Sequence, residues 1–149
     1  MSQDASTIDL PTSLGYLLKE ASSALRAAME AELRPLGMTI TQYSCMELLA
    51  QRPGLSNSEL ARGAFVTRQS MNVLLQGLEE EGAVVRPDRP VSGRVLPTEL
   101  TARGRERLAV ASAAVKRVED RMVSTLSAQD RSRFGEVLSR CVRSLRASE

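Results

Sequence analysis

The sequence predicts a mainly α-helical protein with one small β-hairpin, its central module flanked at both ends by long amphipathic helices. Three observations carry this. Apolar residues recur at the helical spacing i, i+3, i+4 and i+7 through most of the chain. That period is lost once, between residues 83 and 100, where "AVVRP" and "RVLPTEL" read as short strands around the turn-rich "DRPVSG". A length of 149 residues with 42% hydrophobic content bounds the chain to one domain with a real core.

The opening "MSQDASTIDLPTS" carries two acids, no base and no apolar h-region, so residues 1–11 are expected to be a mobile tail and not a secretory signal. From Leu14 the stripe Leu17, Leu18, Ala21, Leu25, Ala28 and Met29 predicts a first helix, broken at Pro35 and Gly37. Thr39 with Gln42 has capping-box spacing and opens a second helix that stops at Pro53 and Gly54. Ser56 with Glu59 repeats the device for a short third helix, after which Gly63 and Thr67 allow a tight turn. The fourth helix buries Met71, Leu74, Leu75 and Leu78, and Gly82 suits its C-terminal cap. Pro97 marks its strand as an edge or a bulge. A long fifth helix begins at Thr101, with Leu108, Ala111, Val115, Val118 and Met122 on one side. A sixth follows Ser127, with Phe134, Val137, Leu138, Cys141, Val142 and Leu145 in its stripe.

Composition excludes several functions. With no histidine, His-based triads, general bases and zinc sites are ruled out, and neither a paired-carboxylate nor a Gly-rich phosphate motif occurs. No enzyme, cofactor or metal is expected. Two cysteines about a hundred residues apart form no disulfide framework, which with the absent signal predicts a reducing cytoplasm. No apolar run approaches the roughly 18 to 20 residues of a membrane span. Of the 20 basic residues two are lysines, Lys19 and Lys116, leaving 18 arginines, the side chain favoured for bidentate phosphate and guanine contacts.

Helix, short turn, helix, then hairpin is the order of a winged helix-turn-helix, whose second helix enters the major groove. The start of the fourth helix is correspondingly rich in donors and acceptors of modest length: Thr67, Arg68, Gln69, Ser70, Asn72 and Gln76. Arg68 has the chemistry to pair with guanine and Gln69 or Asn72 with adenine, while Ser56 and Asn57 could hold phosphate. Arg89 and Arg94 flank the hairpin tip, where an arginine suits a narrow minor groove. Polar residues on an exposed helix are ordinarily just solvated; it is the surrounding order of elements that favours the DNA reading. The run Glu79, Glu80, Glu81 would repel phosphate, so contact is expected only at the helix start.

The segment "LSNSELARGAFVTRQSMNVLLQGLEEEGAVVRPDRPVSGRVLPTELTARG" resembles the MarR family of bacterial transcriptional regulators, and the likeness in order of parts extends from about Leu14 to Leu145. It implies a homodimer joined by helices one, five and six, within residues 12–36 and 101–147, around a DNA-binding region at 37–100. Such a dimer sets two recognition helices about 34 Å apart on a pseudo-palindromic operator. By position, Thr67, Arg68, Ser70 and Val73 fall at recognition-helix contacts and Arg94 at the wing tip. Where many members brace that arginine with an acid two residues earlier, this chain has Ser92.

The family also implies a regulator, most often a repressor, released from DNA by a small aromatic or phenolic acid. Tyr16, Met38, Tyr43 and Met46 are the candidate pocket walls, since thioethers and aromatic rings suit an adaptable apolar site, although each equally suits a core. A cysteine-based redox switch is the alternative; Cys45 shares a helical face with Leu48 and Leu49 and Cys141 lies in the last apolar stripe, so both read as buried spectators. A further alternative is a protein-interaction module that uses the winged helix without DNA.

Overall fold

The computed structural model describes residues 7–86 and 97–147. Its elements are α1 (Leu14–Leu33), α2 (Ile40–Gln51), α3 (Asn57–Gly63), α4 (Arg68–Glu80), β1 (Val84–Val85), β2 (Glu99–Leu100), α5 (Ala102–Met122) and α6 (Ala128–Arg146), with short 3-10 turns at Leu10–Thr12 and Arg34–Leu36. The mainly helical architecture with a two-stranded hairpin is the one expected. Of the expected tail, residues 1–6 lie outside the described residues.

Each helix starts on a serine or threonine whose hydroxyl accepts a backbone N–H of the first turn: Ser13, Thr39, Ser56, Thr67, Thr101 and Ser127. At Thr39 and Ser56 the reciprocal bond from Gln42 and Glu59 completes the capping box. Hydrogen bonds from the Ser56 backbone N–H and, next, its hydroxyl hold the Glu59 carboxyl below its usual range, with a smaller contribution from Arg62. Gly82 ends α4 at φ 75, a left-handed conformation that a side chain would strain.

The core draws Leu33 from α1, Cys45, Met46 and Leu49 from α2, Leu60 from α3, Met71, Leu75 and Leu78 from α4, and Leu108, Ala111 and Val115 from α5. β1 and β2 pair antiparallel, Val84 with Leu100 and Val85 with Glu99. β2 begins two residues after Pro97, whose missing N–H is thus kept out of the ladder. The root of the hairpin is locked to α5: Thr101 N donates to Ala83 O at 3.0 Å, and Thr101 Oγ1 donates to Gly82 O at 2.6 Å and Ala83 O at 3.1 Å. The closeness depends on Gly104, since a Cβ there would sit 2.0 Å from Ala83 O.

The end helices depart from a self-contained fold. α6 buries no side chain; Phe134, Val137, Val142 and Leu145 are exposed, as are Leu14, Leu17 and Leu18 on α1 and Met122 on α5. Cys141 is therefore exposed, not buried as its stripe suggested, because among the described residues none covers it. Among the described residues no helix is long and apolar enough to cross a membrane.

Candidate nucleic-acid interface

α3 and α4 pack together, with Leu60 and Ala61 buried on one and Met71 and Leu75 on the other, which turns the opposite side of α4 outward. Gln69, Asn72, Val73 and Gln76 repeat at i, i+3, i+4 and i+7 and are all exposed, Val73 at 67%. Thr67, Arg68 and Ser70 crown the N-terminal end and are also exposed. Thr67 Oγ1 accepts Ser70 N at 3.0 Å and donates to Ser70 Oγ at 3.0 Å, so the cap leaves the Ser70 proton available to an outside acceptor.

Two side chains of this surface are steadied by α3. Arg68 Nη1 donates to Ser58 Oγ at 3.3 Å, and Asn57 Nδ2 donates to Asn72 Oδ1. The Arg68 bond uses one of five guanidinium N–H groups and leaves a fork free for a base edge or phosphate. Asn57, expected to hold phosphate itself, is here engaged in fixing Asn72. Ser56 is exposed at the tip of α3, where its Oγ accepts Glu59 N. Ser58 had no sequence signal, because a contact ten residues away follows only from the angle between two helices.

The acidic end of α4 now has a structural account. Glu79 Oε2 accepts Arg86 N at 3.2 Å and lies 3.9 Å from its guanidinium, and Glu81 Oε2 pairs with Arg107 Nη1 at 2.8 Å. The first ties α4 to the hairpin and the second ties it to α5, so two of the three acids serve the fold. Glu80 continues the outer stripe four residues after Gln76. Arg89 and Arg94 lie outside the described residues.

The α3–α4 turn holds a surprise. Its left-handed residue is Phe65, at φ 60 and 85% exposed. Gly63, expected to provide the turn's freedom, is instead the last helical residue, where a Cβ would come within 2.9 Å of Leu48 Cδ1.

The four candidate pocket residues do not converge. Met46 is wholly enclosed by the core, because the spacing Cys45, Met46, Leu49 is the inward face of α2. Tyr16 is exposed on α1. Tyr43 is half-buried, and burial raises its phenol, partly offset by a hydrogen bond with Ser112. Beside it Glu47 accepts Ser112 Oγ at 2.7 Å, a polar junction between α2 and α5. Met38 lines a cavity of about 520 Å³ that it shares with Arg26, Glu30, Arg34 and Thr41. Cys45 is fully buried, and desolvation pushes its thiol up to about 12, the opposite of what a peroxide-reactive thiolate needs.

Known proteins share this arrangement. A sequence model of the MarR family matches residues 36–95. The HTH-type transcriptional repressor Rv2887 of Mycobacterium tuberculosis is 45% identical over 127 residues, 85% of this chain and 91% of the relative. Crystal structures of Rv2887 with DNA and with p-aminosalicylic acid each superpose with a TM-score of 0.75, at 42% and 44% identity, covering 87% of this chain and 98% of theirs. The repressor CouR bound to a 23-mer DNA duplex gives a TM-score of 0.80 at 31% identity over 93% of this chain and 100% of that one. With this overlap in sequence and fold, the chain belongs to the MarR family of transcriptional regulators.

Proposed function

We propose that the protein is a homodimeric, sequence-specific repressor that grips a pseudo-palindromic operator in double-stranded DNA and lets go when a small aromatic acid binds. The carrying observation is the outward face of α4: Gln69, Asn72, Val73 and Gln76 in one stripe, with Arg68 and Asn72 held in place from α3. In this reading Arg68, Gln69 and Asn72 read base edges, Val73 meets thymine methyls, and Thr67, Ser70 and Ser56 contact phosphate. Gln76 lies one turn deeper. Arg89 and Arg94 serve the minor groove. Asn57 acts through Asn72.

Dimerisation is supported by the uncovered faces of α1 and α6. So many aliphatic and aromatic side chains in water are a liability for a monomer. A groove of about 220 Å³ between α1 and α5, lined by Ala21, Ala24, Leu25, Ala28 and Met122, adds an apolar seat beside them. For the effector, the cavity at Met38 is favoured, with Arg34 supplying positive charge for a carboxylate beside Arg26, which pairs with Glu30 at 3.4 Å. Rv2887 has been crystallised with salicylic acid and p-aminosalicylic acid, which supports that ligand class. Tyr16 and Tyr43 lie apart within one chain, so in this reading they meet an aromatic ring only across the assembled dimer. Burial of Cys45 weighs against the redox alternative.

The test is a mobility shift on the DNA upstream of the protein's own gene, against random duplex, titrated with salt, salicylate and peroxide. Retention of the specific band that falls steeply with salt and is released by salicylate is expected. Equal affinity for random duplex would favour the protein-interaction module, and release by peroxide alone would favour the redox switch.

A further inference from the structure

Phe65 is doubly unfavourable where it stands. A bulky side chain at φ 60 is a backbone outlier, and an aromatic ring 85% exposed to water forgoes its burial. Glycine would remove both penalties, so nothing among the described residues gives a reason for the ring. Strain of this kind collects where function requires it. The position is informative as well. Phe65 lies two residues before Thr67, the N-cap of α4, at the end of the recognition helix that faces the groove. Arg62 and Arg68 flank it three residues to either side, and from residue 60 to residue 78 the chain has no acidic residue. An apolar ring flanked in sequence by two arginines fits a polyanion that carries apolar groups better than it fits an apolar protein face.

We propose that Phe65 is a DNA-contact residue whose ring packs on the 5-methyl group of a thymine at the edge of each operator half-site, adding specificity that the polar residues of α4 do not supply. The major groove offers that methyl as its distinctive apolar feature, and phenylalanine is among the side chains suited to it. The inference rests on the DNA-binding reading above.

The experiment uses the full-length protein and a duplex from the upstream region of its gene, with each thymine replaced singly by deoxyuridine to delete only the methyl. Wild type is expected to lose about fourfold in affinity at one symmetric position, the worth of one buried methyl. Phe65→Gly should bind the unmodified duplex more weakly, show no further loss at that deoxyuridine, and unfold at the same or a higher temperature. Phe65→Leu, which keeps an apolar side chain, should retain part of the sensitivity. Phe65→Gly binding as tightly as wild type, or keeping the full deoxyuridine effect, overturns the proposal. So does a shift of Phe65→Gly to monomer in sedimentation, which would assign the ring to a protein contact. If wild type does not prefer the upstream duplex over random DNA, it is the DNA-binding reading that fails.

Discussion

Gly104→Ala tests how the DNA-binding module is joined to α5. The new Cβ would lie 2.0 Å from Ala83 O, 3.0 Å from its carbonyl carbon and 3.3 Å from its Cα, and real Cβ contacts are essentially never under 3.0 Å. The obstacle is backbone, so α5 and the hairpin root must separate by about 1 Å. Overpacking of this kind costs about 1–3 kcal/mol. The separation also stretches the Thr101 bonds to Gly82 and Ala83, at about 1 kcal/mol each. Alanine's better helix propensity returns at most about 1 kcal/mol, less near a helix start. The net of these terms is a destabilisation of about 3–6 kcal/mol, or roughly 6–24 °C in Tm for a chain of this size. The assay is thermal unfolding by circular dichroism at fixed protein concentration, because dimerisation makes Tm concentration-dependent. Gly77→Ala is the control: inside α4, its Cβ would meet nothing within 4 Å, and it should stabilise by up to about 1 kcal/mol. A Gly104→Ala protein as stable as wild type, or one that tracks Gly77→Ala, would refute the close-packed junction.

Arg68→Ala should cost about 1–3 kcal/mol of operator binding and relax specificity, whereas Ser58→Ala should cost less and add nothing in the double variant, since Ser58 acts through Arg68; equal losses on random duplex would contradict base reading. Val142→Glu, on the uncovered stripe of α6, should shift the protein toward monomer in sedimentation and weaken operator binding, and a variant that stays dimeric at micromolar concentration would remove α6 from the interface. Iodoacetamide at pH 8 should spare the buried Cys45, whereas Cys141, in the α6 stripe that the dimer covers, should be labelled slowly in wild type and readily in Val142→Glu, as read by peptide mass. The raised Cys45 pKa has a defined linkage. Its folded value of about 12 lies above an unfolded value of about 8.5, so its stabilisation is complete below the latter. It is then lost by about 1.4 kcal/mol per pH unit as pH rises toward 12, and Cys45→Ala should show a shallower alkaline decline in urea unfolding.

Much of the molecule was legible because its signals are local. Caps such as Thr39 with Gln42 and Ser56 with Glu59 act within one helical turn, so a spacing of three residues was enough to place helix starts. The outward stripe of α4 followed from periodicity, since Met71, Leu75 and Leu78 must face the core and Gln69, Asn72, Val73 and Gln76 must then face away. The order of helices and hairpin, which carried the family resemblance, is likewise a linear property.

What only the tertiary structure decided are relations between segments. The pairing of Arg68 with Ser58 and of Asn57 with Asn72 depends on how α3 crosses α4. Ion pairs to Arg86 and Arg107 gave Glu79 and Glu81 a purpose that their own helix did not suggest. The exposure of Cys141 and the enclosure of Met46 both turned on whether an apolar stripe meets a partner within the chain, which periodicity does not record. Gly104 and Phe65 make the same point from the backbone: a missing Cβ matters only when another strand arrives beside it, and which residue of a turn takes the left-handed conformation is set by where its two helices must dock. Sequence periodicity determines which way a side chain points along its own element; long-range packing determines what, if anything, it meets there.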